Sequence, residues 1–446
     1  MRAVITPRPL AGIVPAIASK SVAHRLIIAA ALANGVTHVA LNTTCADIEA
    51  TVRCLEALGA RVDPVDGGLE IHPIPKSRAL GILKACCGQT LDCGESGSTL
   101  RFMLPIACAL GADATFTGQG RLGARPLAPL SDELIAGGCD LAGLGGFPLR
   151  TSGRLRAGRF QIPGNVSSQY ITGLLMAAPL LEGDSEVVVI GRLESRPYVN
   201  LTIQALASFG IEVAIEHGAT EAGVETTTFR PLGDYRTPGS VSVEGDWSNA
   251  AFWLCAGALA RHPITVRGVL MNSAQGDRTI LAVLSRFGAR IGRDPESATV
   301  RPDKLRGFDI SAADIPDLVP VVAAVASVAE GTTRIRDCAR LRIKESDRLE
   351  TVRAELSNLG ADVRIEGDDL VVTGVPELSG GTVSSHNDHR IAMMAAVAAS
   401  RCAGPVEILG AEAVNKSYPA FFDHYKLLGG DVVLKRDEEV GPCPRA

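Results

Sequence analysis

Aromatic side chains are scarce in this sequence, at 4% of 446 residues. A core without large rings is built from Ala, Val, Leu and Ile, which suit close helix–helix and helix–sheet contact. Lysine is scarcer still: eight of the 44 basic residues. No long block of one charge sign occurs and the net charge is −5. That excludes the basic face a nucleic-acid surface needs, though not a local basic pocket. The eleven cysteines contain no C-x-x-C pair, and their odd, irregular spacing is no disulfide framework. They read as small buried thiols in a reducing compartment. No apolar run approaches the ~20 residues of a membrane span. Pro7, Pro9 and Pro15 break the N-terminal apolar stretch that a signal peptide requires. The expectation is a soluble cytoplasmic chain with no nucleic-acid and no membrane partner. Its length exceeds one ordinary core, so two domains are expected.

What the sequence does contain is repetition. A polar cluster, an apolar helical run, a break and a β-rich strand recur from Ser19, Glu95, Val166, Gly245, Asp314 and His386. A second pattern alternates with it: an amphipathic helix, a Gly at its end, then an alternating strand, as in ILAVLSRFGARIG and RAELSNLGADVRIEG. DELIAGGCDLAGLGG reads as a degraded copy. Six α/β units of about 70–80 residues are too large for solenoid repeats and imply subdomains, three per domain.

Each polar cluster falls at the start of an apolar helix. Such an end presents unpaired N–H groups and about half a positive charge, and binds phosphate or carboxylate readily. The densest cluster, His386–Asn387–Asp388–His389–Arg390, also offers a metal reading through His386, Asp388 and His389. The other five copies carry no comparable set, so the anion reading is preferred and no metal is expected.

The clusters also carry motifs. In order they are S-K-S with Arg25 (Ser19–Ser21), S-G-S with Arg101 (Ser96–Ser98), A-R-P-L (Ala124–Leu127), V-S-S-Q (Val166–Gln169) and S-x-P-Y (Ser195–Tyr198). They continue with I-P-D (Ile315–Asp317), K-E-S-D-R-L (Lys344–Leu349), N-D-H-R (Asn387–Arg390) and N-K-S-Y-P (Asn415–Pro419). Nine motifs in this order resemble the 5-enolpyruvylshikimate-3-phosphate synthase family of enolpyruvyl transferases over essentially the whole chain.

The resemblance implies a two-domain inside-out α/β barrel, each domain made of three βαβαββ-type units around converging helices. Residues 19–239 would form the first domain, and 1–18 plus 240–446 the second, discontinuous one. The chain would cross near Ala18 and near Pro238–Ser242, with the active site in a closing inter-domain cleft. It implies transfer of the enolpyruvyl group of phosphoenolpyruvate to the 5-hydroxyl of shikimate 3-phosphate, by a monomer without metal or organic cofactor.

Carried over by motif, shikimate 3-phosphate would meet Lys20, Ser21, Arg25, Ser167, Ser168, Gln169, Ser195, Tyr198, Asp317 and Lys344. Phosphoenolpyruvate would meet Lys20, Gly97, Arg125, Gln169, Arg348, Arg390 and Lys416. Arg offers bidentate pairing to such anions, and Lys a compact charge with an adjustable pKa. Asp317 would take the hydroxyl proton, and Glu345, helped by Lys20, would handle the methyl proton. Asp317 could instead, or also, cap the following helix, and Glu345 could be a first-turn helix acid. Asp388 and Asn387 would cap their helix and hold Arg390 and His389. Gly97 stands where Ala gives family members insensitivity to glyphosate, so glyphosate is expected to compete with phosphoenolpyruvate.

The sequence departs from the family at Ala18, Glu95, Phe102 and Arg340, which bears on the detailed shikimate contacts. Three rivals remain. A UDP-N-acetylglucosamine enolpyruvyl transferase would need a Lys-Asn pair where Lys20 precedes Ser21, and usually a loop cysteine that G-R-L-G-A-R-P lacks. A non-catalytic anion-binding homologue would not need Asp317 and Glu345. An RNA 3′-phosphate cyclase would need an ATP site and a nucleophilic His.

Overall fold

The polar clusters do mark helix starts. In the computed structural model, which describes residues 1–75 and 88–436, the six apolar runs form helices. They are Lys20–Leu32, Gly97–Leu110, Ser168–Ala177, Trp247–Leu259, Val319–Ala326 and His389–Ala399. Every residue of Val319–Ala326 and His389–Ala399 is buried. A helix apolar on all sides must be enclosed by others, and small side chains let the helices approach. Gly173 is the closest case: a Cβ there would lie 2.3 Å from the Arg101 carbonyl oxygen. Helices Gly97–Leu110 and Ser168–Ala177 therefore meet backbone to backbone, and Gly173→Ala would force them apart. The amphipathic helices of the second pattern end as their sequences require. Ile280–Phe287 closes on Gly288 (φ 112°), and Arg348–Asn358 is followed by Gly360 (φ 93°). The left-handed backbone costs glycine little and turns the chain into the next strand.

Six four-stranded sheets form among the described residues, all on one plan. Gln89–Asp92 runs parallel to Ala114–Thr117, with helix Gly97–Leu110 as the crossover. Ala114–Thr117 then pairs antiparallel with Leu149–Gly153, which pairs with Cys139–Ala142. Arg159–Pro163, Glu186–Ile190, Glu225–Leu232 and Glu212–Ala219 repeat the plan. So do Asp309–Ser311, Thr332–Arg336, Asp369–Thr373 and Asp362–Glu366. A parallel pair needs a long crossover and an antiparallel pair only a turn, which is why each copy reads βαβαββ.

The other three sheets are completed by strands from distant sequence. Thr37–Ala40 takes Ser240–Ser242 as its parallel neighbour. Ile264–Arg267 takes Gly12–Pro15. Arg2–Thr6 inserts between Val406–Leu409 and Asp431–Lys435, antiparallel to both, with Ala3 and Ile5 fully buried on one face.

Contacts divide the chain into two units. The first contains Ile17–Trp247 and Asn272–Gly276; the second contains Met1–Ala16, Ser248–Met271 and the chain from Asp277 onward. The switch expected at Pro238–Ser242 falls later, between Trp247 and Ser248, because Ser240–Ser242 still pairs with Thr37–Ala40. The switch expected at Ala18 falls between Ala16 and Ile17, and Ala18 bridges Gly245 within the first unit. The return of Asn272–Gly276 has a polar cause. Gln275 accepts the Trp247 N–H (3.0 Å) and donates to Glu244 and to the Gly245 carbonyl (2.8 Å each).

The N-terminal strand is therefore structural. Deleting Met1–Thr6 strips two ladders and the burial of Ala3 and Ile5, and is expected to destabilise the second unit by about 5 kcal/mol or more. Calorimetry should show that unit's unfolding transition lowered or lost. A truncated chain with wild-type transitions would contradict the topology.

Candidate active site

In the first unit the functional side chains radiate from helix starts. Lys20 opens its helix, with its backbone N–H donating to Asp246 (3.0 Å) and its ammonium on Asp47 (2.8 Å). Arg25, one turn on, is buried. It donates to the Ser21 carbonyl (2.6 Å), the Tyr198 carbonyl (3.0 Å), Thr202 (2.8 Å) and Thr172 (3.3 Å). Its guanidinium also lies over the Phe102 ring, 5.2 Å from the centroid. Burial lowers its pKa to about 10, against the opposing pull of Tyr198. The side chain joins three helices.

Ser167 caps helix Ser168–Ala177, accepting the Gln169 N–H (3.3 Å). The Gln169 amide is fixed at both ends: it donates to Ser98 (2.9 Å) and accepts from Arg101 (3.0 Å). Arg101 also donates to the Pro126 carbonyl (3.2 Å), which Tyr170 holds as well (2.6 Å). This ties down the segment bearing Arg125. A Cβ on Gly97 would lie 2.5 Å from an Arg125 guanidinium nitrogen and 2.7 Å from one of Arg101. Gly97 thus leaves the space those guanidinium groups use. Ser195 is buried in the left-handed region (φ 53°), immediately before helix Arg196–Ser208.

In the second unit everything turns on Arg348, whose side chain is 1% exposed. It donates to Asp388 through Nε (2.8 Å) and Nη2 (3.2 Å), to Asp317 through Nη1 (2.8 Å) and to Glu345 through Nη2 (2.5 Å). Burial alone would lower its pKa; Asp388, Glu345 and Asp317 outweigh that and hold it raised. Arg348 is thus a hub that orders three carboxylates. Asp317 is shared further. It lies 3.5 Å from the Lys344 ammonium and 3.2 Å from Arg390 Nη2, and its carbonyl accepts from Arg390 Nη1 (3.0 Å). Lys416 donates to the Asn387 carbonyl (2.5 Å). Two residues on, Tyr418 is anchored by Trp253, whose indole N–H reaches its hydroxyl (2.7 Å) and whose ring stacks on Phe421.

Burial brings the Lys344 pKa down to about 8, with Arg348 and Arg340 adding to the fall and Asp317 and Glu345 opposing it. Arg340, one of the departures from the family pattern, therefore acts on this ammonium. The helix roles suggested for the two acids do not hold. The residue capping Val319–Ala326 is Leu318, and Glu345 precedes helix Arg348–Asn358, which Asp347 caps through the Glu350 N–H. Asp388 does cap its helix, accepting the Arg390 N–H (3.0 Å).

His386, Asp388 and His389 do not gather as a metal set, because His386 turns to Glu355 (2.6 Å). Among the described residues one trio, Asp63, Glu70 and His72, brings ligand-type atoms together. Arg61 lies across it, 2.9 Å from Asp63 and 2.6 Å from His72, so it is an ion-pair cluster on a hairpin. No helix of the described residues is long and apolar enough to cross a membrane. Sequence reasoning missed Asp47 and Asp246 as site partners and named Arg101 in a motif without giving it a role. An acid in the first turn of a helix, as Asp47 is, is ordinary and draws no notice.

Comparison with known proteins identifies the family. The family model described as EPSP synthase (3-phosphoshikimate 1-carboxyvinyltransferase) matches residues 4–425. The 3-phosphoshikimate 1-carboxyvinyltransferase of Clostridium kluyveri is 41% identical over 429 residues, covering 96% of this chain and 97% of that protein. The protein of the same name from Clostridium acetobutylicum is 41% identical over 432 residues, with the same coverage. A solved EPSP synthase from Acinetobacter baumannii superposes with TM-score 0.77 at 25% identity, covering 97% of this chain and all of that one. The enolpyruvyl transferase NikO from Streptomyces tendae shares the fold, with TM-score 0.72 at 18% identity over 97% of this chain and 98% of that one. The chain belongs to the EPSP synthase (3-phosphoshikimate 1-carboxyvinyltransferase) family.

Proposed function

We propose that the side chains assembled in the two units divide the work of one reaction. The enzyme moves the enolpyruvyl group of phosphoenolpyruvate to the 5-hydroxyl of shikimate 3-phosphate and releases phosphate, in the shikimate pathway of aromatic amino-acid biosynthesis. In this reading shikimate 3-phosphate is held by Lys20, Ser21, Ser167, Ser168, Gln169, Ser195 and Tyr198, with Arg25 beneath them and Lys344 and Asp317 completing the set. Phosphoenolpyruvate is held by Lys20, Arg125, Gln169, Arg390 and Lys416, with Gly97 leaving room for its phosphate and Arg348 ordering the acids beside it. One chain carries every one of these residues, which supports a monomer, and its buried free thiols suit a reducing cytoplasm.

The observation that carries the reading is the placement of Asp317 and Glu345 on one guanidinium, with Lys344 and Arg390 on Asp317. Three separate motifs supply these residues. Asp317 takes the proton of the 5-hydroxyl as its oxygen bonds to C2 of phosphoenolpyruvate. Glu345, with Lys20, delivers a proton to C3, which gives a tetrahedral intermediate. Removal of a C3 proton then restores the double bond as the C2–O bond to phosphate breaks. Cations around both acids stabilise charge that moves between them.

The test is phosphate release from phosphoenolpyruvate with shikimate 3-phosphate, with UDP-N-acetylglucosamine, and with no acceptor. Turnover is expected with shikimate 3-phosphate alone. Asp317→Asn and Glu345→Gln should each lower kcat by about 10²–10⁴-fold, with melting temperature recorded in parallel. Wild-type kcat in either variant would remove that residue from the mechanism.

Lys344 sets a pH limit. Its ammonium loses the proton through about 8, so kcat/KM for shikimate 3-phosphate should fall as pH rises through that value. Lys344→Arg should carry the basic limb upward, even at reduced turnover. In stability the sign is opposite. The unfolded chain holds this proton up to the ordinary lysine value of 10.5, so the burden of the buried charge is relieved between about 8 and 10.5.

Gly97 leaves the phosphate side of the site open, so glyphosate is expected to compete with phosphoenolpyruvate. Inhibition should rise as phosphoenolpyruvate falls, and Gly97→Ala, which displaces Arg125, should weaken it while raising the KM for phosphoenolpyruvate. Undiminished turnover at high inhibitor and low phosphoenolpyruvate would refute this.

A further inference from the structure

His386 and Asn387 both adopt positive φ, 50° and 56°. Two consecutive non-glycine residues in the left-handed region are costly and persist only where surrounding contacts fix them. Here most of the contacts come from one helix face. Arg348 opens helix Arg348–Asn358 and holds Asp388 by two bonds. Glu355, seven residues later and so two turns along the same face, holds the other side of the turn. Its buried carboxylate accepts the Ser384 N–H (3.0 Å) and the Asn358 amide (3.2 Å), and it pairs with His386 Nε2 (2.6 Å). Ser385 fastens the turn from within, donating to the Gly410 carbonyl (2.8 Å) and accepting the Asn387 N–H (3.2 Å). The result aims the Asn387 carbonyl at the Lys416 ammonium, 2.5 Å away.

We propose that His386 and Glu355 are positioning residues for phosphoenolpyruvate. Their pair locks the left-handed turn whose carbonyl holds Lys416 in place. Neither touches the reacting atoms. Glu355 is 5% exposed and His386 40% exposed, so the pair is built from a fixed acid and an accessible clamp. Loss of the clamp lets the turn relax, and the Asn387 carbonyl swings away from Lys416. The inference rests on the assignment of Lys416 to phosphoenolpyruvate, so its test includes Lys416 itself.

The experiment compares His386→Ala, His386→Gln, Glu355→Gln and Lys416→Ala in the full chain, measuring kcat, both KM values and melting temperature. His386→Ala should raise the KM for phosphoenolpyruvate about tenfold, with that for shikimate 3-phosphate changing less than about twofold. His386→Gln keeps an N–H donor for Glu355 and should recover most of the loss. Glu355→Gln retains an acceptor for the Ser384 N–H and should resemble His386→Ala; it is the variant to read if His386→Ala does not fold. If Lys416→Ala raises the phosphoenolpyruvate KM and His386→Ala does not, or if both KM values move together, the positioning role is overturned and the site assignment stands. Failure of His386→Gln to recover the loss overturns it too. If Lys416→Ala leaves that KM unchanged, the assignment of Lys416 fails and takes this inference with it.

Discussion

A guanidinium with almost no access to water, surrounded by three carboxylates, is the constraint on which the second unit's chemistry depends. Arg348 cannot shed its charge, so its burial is tolerable only while Asp317, Glu345 and Asp388 face it. Removing one partner of such a group typically costs about 3–5 kcal/mol, because a buried charge is left uncompensated. The acids are fixed by the same requirement. Asp388 serves two masters, neutralising Arg348 and capping the helix that carries Arg390. A single cation thereby sets the positions of the two acids proposed to handle protons and of the helix that carries Arg390.

The first unit solves a related problem with a neutral framework. Arg25 is also buried, yet its partners are hydroxyls and carbonyls of three helices. Without an opposing carboxylate its pKa falls, whereas that of Arg348 rises. The charge in this unit is thus less neutralised and suits attraction of a dianion. The charge in the second unit is matched almost one for one and suits proton traffic. That contrast follows from which residues face each arginine, and both lie within the first two turns of a helix.

Much of this was readable in the residues. Polar cluster followed by unbroken apolar run marks a buried helix with an exposed beginning, and all six such places are helix starts. The second pattern was equally plain, because glycine at a helix end has one main physical use; even DELIAGGCDLAGLGG forms its helix and strand. Local signals could not show which strand borrows which neighbour. Gly12–Pro15, Ser240–Ser242 and Arg2–Thr6 look like any short strand, and their partners lie hundreds of residues away. The family resemblance supplied candidate site residues but not their mutual arrangement. Nothing in K-E-S-D-R-L tells an arginine facing a ligand from one buried beneath two acids. Nothing in the sequence showed that His386 pairs with Glu355.

The borrowed strands also govern the order in which the chain can fold as it leaves the ribosome. Arg2–Thr6 is made about four hundred residues before both of its neighbours, Val406–Leu409 and Asp431–Lys435. At roughly 5–20 residues per second it waits on the order of tens of seconds for a sheet to join. Helix Lys20–Leu32 likewise precedes Ser240–Ser242, the strand that completes its crossover. Neither unit can mature as a contiguous stretch during translation, and the first unit is ready well before the second. Until those neighbours are made, Arg2–Thr6 is a strand with two unpaired edges; Arg2 and the proline-broken segment after Thr6 suit it to that interval.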